Sequence, residues 1–502
     1  MKMSYISTTL GALRNVAVAA LLLGGAGAAM AAPEKLTVAL PGDLPGLDPS
    51  KDTSPLGFNY RLNVYDALTE LQRDGQMRGR LAESWESSED LKTWTFKLRP
   101  GVKFHDGSEF TADDVVFTIE RVLADEKTPL RTYVRLVEKV EAVDDLTVRF
   151  TLIQPYSLFF RQISYVNIMS RDYHDKVGDD GYATKPVGTG PYKLVEWVKD
   201  DRFVLEANPD YWRGAPAIKT ATFRPIPAEA SRATALLSGE VDLVPSLPPS
   251  LLAQLERSDK VKTGVAQGFR TIFLAFNSTV APLNDPKIRE AIDVSINRNA
   301  IAEQLLRGLG KPTGILVPPM NIGYDPTLTP TAFDPEKAKQ LVAEAGYKGE
   351  TISIQYPSNN IAMANEVVQA IAGYMTEVGL KVELKPMEFT AFFPVWLQAK
   401  VDSAYFFAFG SSQYHAETVL TTMFTKGSHA YEVDEEIDRL VNAAKAEADP
   451  AKQQEMLSDA FKRSNANRWH LPLYDEMQAY GMQPSIEYNP WPDGFIRLYD
   501  FQ

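Results

Sequence analysis

The chain has no cysteine among its 502 residues, which excludes disulfides, thiolate zinc sites, cysteine nucleophiles and a lipidated cysteine at the head of a mature chain. Histidine is scarce too. His105, His174, His415, His429 and His470 form no HExxH and no i,i+4 pair, so the common zinc-hydrolase arrangement is missing. No GxGxxG, GxxxxGK[ST] or GxSxG occurs, which removes the dinucleotide fingerprint, the phosphate loop and the nucleophile elbow. The Gly-x-Gly of "VGTGPYKLVEW" (187–197) is followed by proline where a phosphate-cradling helix would start, and it reads as a turn into a strand. No cofactor is expected.

Positive charge is also in short supply, with 52 Lys and Arg against 65 Asp and Glu and a net charge of −13. Such a chain repels phosphate backbones and shows no basic stripe, so nucleic acid is not an expected partner. The one long apolar run, "VAVAALLLGGAGAAM", follows Lys2 and Arg14 and ends in small residues, which predicts a signal peptide over 1–32 cleaved near Ala31 or Ala32. Val16 to Leu23 is shorter than the roughly 20 apolar residues of a membrane span. Removal of the two cations takes the net charge from −13 to −15. The expectation is a free, monomeric periplasmic protein that is not lipid-anchored.

What is present is ordinary globular composition, 44% hydrophobic and 23% charged. The stretch "FKLRPGVKFHDGSEFTADDVVFTIERV" (96–122) gathers His105, Asp106, Glu109, Asp113 and Asp114, the residue types of a metal or hydrolase site. Its pattern points elsewhere. A strand runs into Pro100-Gly101, "HDG" turns, and Thr111 with Asp114 forms a capping box for a helix that turns Val115, Ile119, Val122 and Leu123 inward. A secreted hydrolase working through Asp106 and Glu109 is the rival reading.

Further strands are expected at 35–40, 93–98, 146–152, 192–198 and 202–207, the last two as a hairpin. From about 229 helices alternate with strands, including a β-α-β-α-β run over 351–410 that predicts a mostly parallel sheet. Two helices, near 434–446 and 450–465, precede an apolar strand at "LPLYDEMQAYGM". The loop "DPSKDTSPLG" (48–57) is read either as cleft lining, through Thr53 and Ser54, or as a solvated turn.

The order of "LAESWESSEDLKTWTFKLRPGVKFHDGSEFTADDVVFTIERV" (81–122), "PVGTGPYKLVEW", "NPDYWRGAPAIKTATFR", "LAFNSTVAPLNDPKIREAIDVSINRNAI" (274–301) and "AKQLVAEAGY" resembles the extracellular solute-binding proteins of family 5. That group serves dipeptide, oligopeptide and nickel importers driven by ATP. The resemblance implies an α/β periplasmic binding protein of the large cluster, with two lobes, an extra inserted domain and mixed sheets. It places the first lobe at 33–272 plus 475–502, an inserted small domain at 66–187, and the second lobe at 273–474, with a ligand held in the interlobe cleft and passed to a membrane permease.

Ligand class is where this sequence departs from the peptide binders it resembles. Those carry a Trp-x-x-Asp segment whose aspartate holds a peptide ammonium; here Phe409 and Ser412 stand at those positions. An arginine near the start of the long helix, which holds a ligand carboxylate in dipeptide binders, is also absent between Tyr356 and Lys381. The remaining wall offers Ser358, Asn359, Trp396, Phe409, Gly410, Ser411, Ser412, Gln413 and Tyr414, which suits a polar, weakly charged solute: a modified peptide, an opine, a sugar conjugate or a chelated metal. Phe406 and Phe407 are read as core. His415 is the single histidine expected near the cleft, and Glu417 or Asp402 the substitute anchors should a free ammonium bind.

Overall fold

The computed structural model describes residues 33–428 and 430–501; the expected signal segment and His429 lie outside them. Of the acidic cluster at 105–114, Asp113 and Asp114 form the first turn of a helix and Asp106 accepts Ser108 N–H in the turn before it. Asp114 accepts the backbone N–H of Thr111 at 2.9 Å, and the helix Ala112–Ala124 buries Val115, Ile119 and Val122. His105 is structural: one ring nitrogen lies 2.9 Å from Gly190 O and Nδ1 accepts Gly188 N–H at 3.3 Å. Burial lowers its pKa to about 4, so the ring is neutral and fastens the turn at 188–190.

The parallel run expected over 351–410 is present, with Thr351–Pro357 pairing in parallel with both Lys381–Met387 and Ala404–Gly410. Those strands belong to an 11-stranded sheet that continues through two long strands, Lys262–Phe276 and His470–Met482. Beyond the long strands the sheet proceeds through Leu243–Val244, Lys35–Leu40 and Thr220–Pro225 to the expected hairpin, Arg202–Ala207 with Tyr192–Val198. A separate four-stranded antiparallel sheet contains Ala82–Ser87, Thr93–Leu98, Val137–Asp144 and Thr147–Leu152.

The two long strands cross from one half of the sheet to the other. Residues 471–475 pair with 271–274, and 477–482 pair with 262–267, with the register shifting between Gln267 and Thr271. Gly268 lies at the shift, where a Cβ would stand 2.8 Å from Glu476 O. A bulge bends paired strands without ending their pairing. The hydrophobic core divides accordingly. One cluster draws on 272–474, a second on 68–187, and a third on 36–65, 169–243 and 480–501.

Candidate functional site

The strand Ala404–Gly410 ends in a loop that the sequence fixes tightly. A Cβ on Gly410 would stand 2.1 Å from Phe269 O on the neighbouring long strand, so only glycine fits. Tyr414 takes a left-handed φ of 51° and donates its N–H to Ser411 O at 3.0 Å. His415 then caps the helix Ala416–Phe424, its Nδ1 accepting Glu417 N–H at 3.1 Å.

Opposite this loop stands the helix Phe159–Gln162 and the turn after it. Arg161 donates Nη1 to Gln413 O at 3.0 Å and Nη2 to Gly75 O at 2.8 Å, while Tyr165 donates its hydroxyl to Ser412 O at 2.6 Å. Ser157 N–H reaches Lys445 O at 2.8 Å, and Gln453 Nε2 reaches Ser157 Oγ at 2.8 Å. The third wall is aromatic: Phe58 stacks on Phe495 at 4.9 Å and meets the edge of Tyr165 at 5.5 Å, and Tyr165 stacks on Tyr133 at 5.1 Å. The Arg61 guanidinium lies 4.1 Å over Phe58.

Beside this seam opens a cleft of about 240 Å³, lined by Tyr133, Arg135 and Gln162 from one side and by Gln413, Glu417 and Lys445 from the other. Four threonines add hydroxyls to it. Glu417 is buried and held by Lys445 at 3.4 Å, Thr421 Oγ1 at 2.7 Å and the Tyr156 hydroxyl at 3.4 Å. Burial lowers the guanidinium pKa of Arg61, and likewise of Arg161, to about 10. Burial first, and Arg161 second, lower His415 to about 3, so its ring is neutral. Among the described residues no group of three or more His, Asp or Glu could hold a metal ion.

The structure separates the residues singled out in the sequence. Ser411, Gln413 and Tyr414 are buried, and Phe409, Gly410 and Ser412 half-buried, along one loop at the seam. Trp396 is part of the core, its rings 4.9 Å from Phe407 and 5.7 Å from Phe409. Phe406 and Phe407 are buried as expected. Ser54 caps the helix Pro55–Val64 by accepting Gly57 N–H at 3.1 Å, and Thr53 is half-buried beside it. Ser358 donates its N–H and hydroxyl to Met387 O at 2.9 and 3.1 Å, and Asn359 is exposed and accepts Phe389 N–H at 2.9 Å. Asp402 is bound to Lys385 at 2.9 Å. Sequence reasoning missed Phe58, Arg61, Tyr133, Arg135, Tyr156, Arg161, Tyr165 and Phe495. The available signal was Arg161, a charge interrupting the apolar run "YSLFFRQISYV".

The model of bacterial extracellular solute-binding proteins, family 5, matches residues 76–431. The chain belongs to that family. Among its family 5 relatives is the glutathione-binding protein GsiB of Pectobacterium atrosepticum, 32% identical over 68% of this chain and 67% of that protein. Two solved structures share the fold. NikA from Brucella suis in complex with Fe(III)-EDTA has a TM-score of 0.85 at 24% identity, covering 93% of this chain and 99% of that one. AgaA from A. tumefacien R10 in complex with agropinic acid has a TM-score of 0.76 at 26% identity, covering 93% of this chain and 96% of that one. Family 5 membership makes the chain a solute-binding protein of the ABC-importer class, an extracellular one by the family's description, and its relatives are binding proteins rather than enzymes.

Proposed function

We propose that the chain works in the periplasm, after removal of residues 1–32, capturing a peptide-like or other polar organic solute between two lobes and handing it to the permease of its ABC importer. It acts as a monomer and catalyses no reaction. The lobes are 33–272 with 475–502, carrying the small domain 66–187, and 273–474. The observation that carries this reading is the seam itself: two walls drawn from distant parts of the chain meet through five hydrogen bonds, and the chain passes between them along two bulged strands. A cleft between lobes is where ligands bind, and a bulged crossing is where hinge closure bends.

The residues offered as binding groups are the loop Phe409, Gly410, Ser411, Ser412, Gln413 and Tyr414, together with Tyr133, Tyr156 and Arg161. A glutathione-like solute is supported by the name of the GsiB relative, and an opine by the AgaA complex. Purified protein should melt higher in the presence of its solute by the mass-action term. A panel of glutathione, dipeptides, oligopeptides and opines tests this; a melting temperature that no member moves, in a protein that turns one of them over, refutes it.

A further inference from the structure

All five hydrogen bonds across the seam involve one short segment, 156–165, of the small domain. Their partners are spread along the second lobe: the carbonyls of Ser412 and Gln413, Glu417 in the helix Ala416–Phe424, Lys445 O at the end of the helix Glu435–Lys445, and Gln453 in the helix Pro450–Asn467. Ser157 makes two of the bonds. It donates its N–H at 2.8 Å to Lys445 O, one of the carbonyls that a helix end leaves unpaired, and its hydroxyl accepts Gln453 Nε2 at 2.8 Å. The same Gln453 amide rests on Ala444 O at 3.1 Å and Glu447 O at 2.6 Å, so its own lobe holds it ready for Ser157.

Ser157 and Gln453 are both buried, and neither is among the residues that line the cleft. Their contact is independent of any solute. Toward the first lobe the small domain is fastened by charge, with Arg121 Nη2 on Asp48 at 2.8 Å, and by the Thr128 hydroxyl, which donates to Ser50 O. Charge-assisted bonds are roughly twice as strong as neutral ones, so the small domain moves with the first lobe and parts from the second. At the parting face three of the five bonds end on backbone carbonyls, those of Ser412, Gln413 and Lys445, which water takes over once the seam opens. Such a contact biases closure and still releases.

We infer that Ser157 and Gln453 are positioning residues for solute capture: the small domain is a latch whose grip on the second lobe sets the closed fraction of the protein and the residence time of its solute. This rests on the solute-binding reading and gives the small domain a role that reading leaves open. A bond made only in the closed state shifts the closing equilibrium by its own net worth, roughly two- to tenfold, and slows release without touching the bound molecule.

A chain without cysteine takes dyes only where they are wanted. Glu138→Cys and Glu377→Cys, at exposed positions of the small domain and the second lobe, carry a donor and an acceptor for single-molecule energy transfer in the full chain. In solute-free protein Ser157→Ala should lower the ratio of closed to open molecules roughly two- to tenfold, and adding Tyr165→Phe, which deletes the hydroxyl on Ser412 O, should lower it further. Ser295→Ala removes a buried hydroxyl bonded to Ile292 O inside the second lobe and should leave the ratio unchanged. In stopped-flow mixing with glutathione, or with the dipeptide, oligopeptide or opine of the panel that raises Tm, Ser157→Ala should release the probe faster by the same factor at an unchanged association rate. A ratio that neither Ser157→Ala nor the double variant moves, one that Ser295→Ala moves as much, or release at the wild-type rate overturns the latch and leaves the solute-binding reading standing. Should no member of the panel bind, the solute-binding reading fails and takes the positioning role with it, whatever the ratio shows.

Discussion

Asp475 is 2% exposed at the point where the long strands cross, and its carboxylate accepts the Thr271 hydroxyl at 2.7 Å. Burial is the largest influence and raises its pKa from 3.8 to about 7, against the lowering effects of Thr271 and Lys311. Between those values the folded chain keeps a proton that the unfolded chain has released, so stability falls as pH rises from about 4 to about 7 and is flat above. A shift of roughly three units at 1.36 kcal/mol each sets an upper bound of about 4 kcal/mol. Asp475→Asn keeps the shape and the acceptor for Thr271 but cannot ionise. The variant should therefore gain on the wild type by roughly 2–3 kcal/mol between pH 5 and pH 7, with no further gain at pH 8. At the entropy typical of a chain this long that is on the order of 3 °C in Tm. Thermal and urea melts of both proteins at half-unit pH steps measure it. A difference that is constant across pH, or a variant less stable at pH 8, refutes the assignment of a buried, reluctantly ionised carboxylate.

Asp66 is wholly buried and accepts from Arg80, Thr189 Oγ1 at 2.9 Å, Tyr211 at 3.1 Å and Trp212 Nε1 at 3.0 Å. Asp66→Ala leaves Arg80 without its nearest partner and should cost about 3–5 kcal/mol in urea unfolding; a loss under 1 kcal/mol contradicts the hub. Gly75 combines a φ of 82° with a Cβ position 3.1 Å from Met320 O across the seam, so Gly75→Ala should weaken solute binding in calorimetry while shifting Tm little. Nickel titrated into the wild type should give no heat, since His415 caps a helix through Nδ1; a tight signal that vanishes in His415→Ala reverses this.

What could be read in advance was local. The capping box at Thr111 and Asp114, the hairpin around Lys199-Asp200-Asp201 and the parallel run over 351–410 each declare themselves within a dozen residues by spacing or turn chemistry. The strand Lys262–Phe276 was not visible as one element, because "KTGVAQGFRTIFLAF" changes from half-exposed to buried at the crossing and so keeps no single alternation. The helix Arg171–Thr184 is broken at Gly178, whose φ of 68° interrupts any 3.6-residue pattern. "RNAIAEQLLRG" reads as one amphipathic helix, yet 301–305 winds as a π-helix and the element stops there. The loop 409–414 was singled out through family spacing. Arg161 and Tyr165 were not, since their partners Gln413 and Ser412 lie about 250 residues away and nothing local predicts which carbonyl they meet.

Because Leu274 lies opposite Leu471 and Ala275 opposite His470, the stretch between them leaves and rejoins this strand pair at neighbouring positions. Its two ends stand about one strand spacing apart, near 5 Å. Topologically it is a closed module hung on a hairpin stem: cut out, it leaves a gap between Leu274 and Leu471 that a short turn spans. Insertions, deletions or wholesale exchange of the module can thus remodel one face of the cleft while the paired stem stays as it is. A scaffold of this kind can exchange one wall without rebuilding its stem.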